Sequence, residues 1–176
     1  MKLSRVLTAG AALATSGLLL TAAAPEALAH TAAPPARACG SHLETWFAPE
    51  GSAFAGGAVY VVEFSDTGRT ACTVTGFPTV TLTENGRQVG LKAMTTGRAP
   101  STVRLTPGLT AHVALTIHDA GAVCRPHPAN GLSVLAPGTT HAQDFPLVAF
   151  GACRHRSTMD VDAVRPHVGI PLFTIR

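Results

Sequence analysis

Beyond residue 40, apolar and polar residues alternate with a period of two over most of the chain. The clearest run is LTAHVALTIH (109–118), where Leu109, Ala111, Val113, Leu115 and Ile117 share one face, the signature of a strand with one buried side. AVYVVEF (58–64) is dense in valine and aromatic residues and closes on the turn cluster Ser65-Asp66-Thr67-Gly68. TVTLT (79–83) and RQVGL (87–91) flank Glu84-Asn85-Gly86, and Asn-Gly accepts the positive φ angles of a tight hairpin. STVRL (101–105) runs into Thr106-Pro107-Gly108, which suits a type II turn. HLETWF (42–47), LSVLA (132–136), FPLVAF (145–150) and MDVDAV (159–164) complete a set of short strands separated by Gly, Pro and Asn turns. With no helical period after residue 30, the pattern predicts an all-β, antiparallel sandwich or barrel.

One stretch breaks the alternation. In ACTVTGFPTV (71–80) a strand is interrupted by Gly76-Phe77-Pro78. Proline offers no ladder donor, so the sheet is expected to stop or to lie at an edge there. Phe77 is expected to plug the core.

The first 29 residues read differently. Lys2 and Arg5 precede an apolar run through Leu20, and Ala27-Leu28-Ala29 supplies the small residues of a cleavage site before His30, which is the layout of a secretory signal. The organisation expected is a signal peptide at 1–29, a flexible leader at 30–38 containing Pro34-Pro35, and a single β domain at 39–176. The product is then secreted and soluble, with no stable membrane insertion once the signal is removed. After residue 29 the chain keeps 11 basic and 9 acidic residues. That balance lacks the clustered basic face a nucleic-acid partner requires. Lys92 is the sole lysine of this part, a bias a high-GC genome produces.

All four cysteines, Cys39, Cys72, Cys124 and Cys153, follow the proposed cut. Outside the cell an even set pairs by default, and the long gaps fit no zinc pattern. Two disulfides are expected, with three connectivities open. Clipping a loop of about 30 residues is worth roughly 3–4 kcal/mol on a chain-entropy estimate.

Candidate chemistry is sparse. There is no Gly-x-Ser-x-Gly elbow, and His118-Asp119, adjacent on a strand, point to opposite faces. Cysteines held in disulfides cannot act as nucleophiles. Asp160 and Asp162 are expected on one strand face about 7 Å apart, either as a solvated surface or as calcium or glycosidic carboxylates. His30, exposed by cleavage, is a candidate copper ligand through its amine and imidazole. His112 and His118 lie roughly 20 Å apart along one strand and cannot share an ion. Arg154-His155-Arg156 is a small cationic cluster that reads as a wet loop or as a contact for an anionic wall polymer. Trp46 and Tyr60 are too few for a sugar platform. The segment CRPHPANG (124–131), pinned by Cys124 and stiffened by two prolines, is where a protease-inhibiting loop is expected.

A resemblance sharpens the fold. The order of Cys39, AVYVVEFSDTGRTACTVTGFPTVTL (58–82), VRLTPGLTAHVALTI (103–117), Cys124 before LSVLAPG (132–138), and Cys153 resembles the actinobacterial secreted family called domain of unknown function 4232. The resemblance covers 39 to about 169 and implies an immunoglobulin-like sandwich with pairs Cys39–Cys72 and Cys124–Cys153. It implies no activity. Residues 170–176, IPLFTIR, run past it without a reading. The expectation is a non-enzymatic extracellular or cell-envelope binding module without cofactors, its partner an unidentified protein or wall polymer. The alternatives are a copper protein using His30 and a secreted protease inhibitor.

Overall fold

The computed structural model describes residues 36–169. The signal, His30 with most of the leader, and residues 170–176 lie outside the described residues. Twelve strands follow one another: β1 (Leu43–Phe54), β2 (Gly57–Asp66), β3 (Cys72–Thr75), β4 (Thr79–Glu84), β5 (Arg87–Val89), β6 (Met94–Thr95), β7 (Thr102–Leu105), β8 (Thr110–His118), β9 (His127–Leu135), β10 (Gln143–Ala152), β11 (Met159–Val161) and β12 (Arg165–Pro166). Among the described residues the only helical pieces are two single 3-10 turns, Gly40–His42 and Ala120–Ala122.

The strands form two main sheets. The first runs β1-β2-β8-β11-β6, with β12 added to β8, and the second runs β10-β9-β4-β5. Alternation explains how they pack. On β8, Ala111, Val113, Leu115 and Ile117 are at most 2% exposed, while the residues between them reach the surface. Val62 and Phe64 of β2 join them from the first sheet, and Val80, Leu82, Leu132 and Val134 meet them from the second. Each of these valine, leucine, isoleucine and phenylalanine side chains contributes roughly 1.5–3 kcal/mol by leaving water. Leu109, which the sequence pattern put on the same face, precedes the strand and is 55% exposed, because the turn at Thr106–Leu109 carries it outside the sheet.

The turn chemistry is as the residues dictate. Asn85 and Gly86 both take positive φ (51° and 76°) between β4 and β5, and Gly108 (φ 80°) lets Leu109 N–H donate to Thr106 O at 2.8 Å. The Gly76-Phe77-Pro78 interruption also holds, since β3 ends at Thr75 and β4 starts at Thr79. Its partner strand changes too. β3 pairs β7 in a separate two-stranded ribbon. Phe77 does not plug the core. It is only half-buried, whereas its neighbours Val74, Pro78 and Val80 are buried.

In immunoglobulin lettering, β1-β2-β8 follow A-B-E and β10-β9-β4-β5 follow G-F-C-C′. Two features depart from that plan. The place of strand D beside β8 is taken by β11, which comes after G in the chain, and β11 pairs β6 in parallel (Asp160 opposite Met94), whereas the other pairs of strands among the described residues are antiparallel. Both disulfides are present. Cys39–Cys72 fastens the start of the domain to β3 (Cα–Cα 4.8 Å), where Cys39 N–H also donates to Thr73 O at 3.0 Å. Cys124–Cys153 fastens the loop before β9 to the end of β10 (Cα–Cα 6.0 Å).

Candidate functional site

The segment between β5 and β6 has to leave the second sheet and reach the first. It does so along β4, with Ala93 N–H donating to Val80 O at 2.8 Å, and then Met94–Thr95 pair β11. Between this crossing segment and the outward residues of β4 lies an open groove of about 700 Å3, lined by Thr79, Thr81, Gln88, the segment 91–95 and Ser157. Its size is that of ordinary small-ligand or peptide clefts. The other principal depressions among the described residues hold about 130 to 340 Å3.

Alternation aims its floor. Val80 and Leu82 point into the core, so Thr79 and Thr81 point out, and Gln88 lies opposite Thr83 on that same outer face. The wall is apolar and exposed, with Leu91 at 48% and Met94 at 60%. Lys92 is the one charged side chain of the lining, and it makes no ion pair among the described residues. One end is closed by the turn after β10. A Cβ at Gly90 (φ 72°) would sit 2.7 Å from Cys153 O, so this turn abuts the chain just before the crossing segment; Ser157 lines the groove, while Arg154, His155 and Arg156 are exposed and line no part of it.

The residues singled out from sequence are otherwise dispersed. Asp160 and Asp162 do flank the buried Val161, but each carboxylate is engaged separately. Asp160 Oδ2 lies 2.8 Å from His118 Nε2, whereas Asp162, beyond the end of β11, accepts from Thr96 Oγ1 and lies 3.8 Å from Arg165 Nη2. Asp119 turns back on the chain, accepting from Gly121 N–H at 2.9 Å. The His118–Asp160 pair joins residues 42 apart and was not read from the sequence. Thr116 lies opposite Asp160, so His118 is its diagonal neighbour across the strands, a relation visible only once β8 and β11 are known to pair. No hydroxyl donates to or accepts from the His118 ring among the described residues; it stands nearly perpendicular to the Phe54 ring, with centroids 6.1 Å apart.

His112 Nδ1 lies 2.8 Å from His167 O and ties β8 to the chain after β12. Among the described residues no three His, Cys, Asp or Glu side chains cluster as a metal site requires. Trp46 is 53% exposed on β1, while Tyr60 is tucked between Phe47 and Phe150, with ring centroids 5.5 and 5.7 Å away. Burial there pushes the Tyr60 hydroxyl above the usual tyrosine value. The expected inhibitor loop is corrected. His127 to Gly131 of the 124–131 segment belong to β9, where His127, Pro128, Ala129 and Gly131 pair β10, so the segment is mostly strand rather than a free loop, leaving only Arg125 and Pro126 outside both the strand and the disulfide.

No helix among the described residues is long and apolar enough to cross a membrane. The family model for a domain of unknown function (DUF4232) matches residues 39–166. The chain belongs to this family. The DUF4232 match begins at the first cysteine and ends at β12, so it takes in both disulfides and the whole groove. No curated protein and no solved structure matches the chain.

Proposed function

We propose that this DUF4232 chain is an exported, non-catalytic binding module that presents the groove beside Lys92 to a partner outside the cell. The support is the groove itself, an open cleft of about 700 Å3 whose wall leaves Leu91 and Met94 in water and whose one charged lining residue has no counter-ion among the described residues. Exposed apolar side chains gathered in a cleft beside hydroxyls, an amide and one cation have the ordinary composition of a recognition site. The disulfides suit an oxidising exterior.

The test compares immobilised protein with its Leu91→Asp/Met94→Asp variant as baits for envelope and culture-fluid material. The expected result is a species retained by the first and lost by the second, with both showing the same circular dichroism. Equal retention by both would take the groove out of the account. Turnover of an ester, peptide or glycoside substrate would overturn the non-catalytic reading.

A further inference from the structure

The lining of the groove restricts what can occupy it. Its one cation has no competitor in the lining. Lys92 is exposed and unpaired among the described residues, and neither Arg154 nor Arg156 meets a carboxylate there. The acids on and just after β11, the strand that Met94–Thr95 pair, are already engaged, Asp160 by His118 and Asp162 by Thr96 and Arg165. The lining itself contains no acid. An occupant bearing negative charge therefore meets a complementary field without displacing an existing pair.

Charge alone does not describe the site. Leu91 and Met94 supply apolar wall, and methionine adapts its shape to varied apolar partners. Along the floor and the far rim, the hydroxyls of Thr79, Thr81 and Thr95 make no hydrogen bond among the described residues, so they remain available to the amides of an extended chain. Ser157 Oγ is held by Met159, and Gln88 Nε2 donates to Gly90 O at 3.0 Å. A polyphosphate or a uniformly anionic glycan wants a row of cations, whereas this lining offers one lysine between two apolar side chains. A polypeptide that alternates acidic and apolar side chains matches it on both counts.

Resting on the binding reading above, we infer that the groove takes an extended acidic-apolar peptide segment of a partner protein, one carboxylate meeting Lys92 and its apolar neighbours meeting Leu91 and Met94.

The probe is a short fluorescein-labelled peptide alternating glutamate with leucine, beside its glutamine-for-glutamate counterpart and poly-glutamate. Each is titrated into the isotope-labelled protein, with amide shifts read by NMR. The alternating peptide is expected to bind, to shift amides of residues 79–81 and 88–95, and to lose roughly tenfold in affinity with Lys92→Glu but little with Lys92→Arg. Equal binding of the glutamine peptide in the groove, or no effect of Lys92→Glu, would overturn the acidic partner and leave the binding module standing. Poly-glutamate binding as well as the alternating peptide would overturn the apolar half of the proposal. Absence of groove shifts with every probe would overturn the peptide inference. Equal retention of envelope material by the Leu91→Asp/Met94→Asp bait is the separate result that would remove the groove's binding role.

Discussion

The two open sides of the sandwich are built on opposite principles. On one side the edge strands are long: β1 has 12 residues and β10 has 10. Each is broken by an irregularity containing a proline, Pro49 within 48–52 and Pro146 at the start of 146–150. The gap between them is filled by rings, with Phe47 against Tyr60 and Phe145 and Tyr60 against Phe150, and Thr45 N–H donates across it to Gln143 Oε1 at 2.9 Å. Prolines and bulges spoil an edge as a template for a foreign strand. On the other side the edges are short, three residues in β5 and two in β6, and the crossing segment rather than side-chain packing closes the gap. One side is blunted along its edges and sealed between its sheets by rings, although Trp46, Phe54 and Val148 of its edge strands stay in water; the other leaves an open groove between the crossing segment and β4. Packing is spent on stability where the aromatic cluster lies, and surface is left available where the groove lies.

The largest break in this contrast comes from opening Cys124–Cys153, which pins the turn beside Gly90. Cys124→Ser/Cys153→Ser removes a crosslink spanning 29 residues, and about 3 kcal/mol of stability should go with it in urea unfolding. The same variant should broaden the amide signals of residues 153–157 and 90–93 before those of the aromatic side. Next in size is a pair of truncations. Phe47→Ala should cost about 2–3 kcal/mol, below the value for a wholly buried phenylalanine because the ring is only partly covered. Leu91→Ser should stay within roughly 0.5 kcal/mol. Similar losses for the two would show that the groove wall is packed as tightly as the sealed side.

The smallest effect is a pH dependence. Burial raises the Tyr60 hydroxyl above its unfolded value, so the unfolded chain gives up that proton first. Its contribution is therefore complete below the unfolded pKa near 10 and is lost as pH rises through the higher folded value. Thermal unfolding followed from neutral to strongly alkaline pH should show this loss in the native chain. Tyr60→Phe should flatten it.

What the residues disclose in advance follows from how local each signal is. The core strand β8, the Asn85-Gly86 hairpin and the Pro107-Gly108 turn are written in contiguous residues, and each forms where those residues put it. The break at Gly76-Phe77-Pro78 is local as well, but the fate of Phe77 is not, because which side chain fills a gap depends on the facing sheet. β6 and β12, two residues each, are too short to carry a period. The parallel pairing of β6 with β11 and the His118–Asp160 contact both join residues separated by 42 positions or more. The groove is still further from any motif. Leu91-Lys92-Ala93-Met94-Thr95 has no alternation worth reading, and it becomes a wall only because the chain must cross between sheets there. Lys92 drew notice in the sequence for its rarity alone.

The two sulfur bridges form separate rings, 39 to 72 and 124 to 153, that neither overlap nor enclose each other. A single protease cut inside either ring leaves every fragment tethered. A cut between 73 and 123, the span that carries the groove's crossing segment, divides the backbone into two pieces with no bond between them, which only the β ladders and the shared core then hold together.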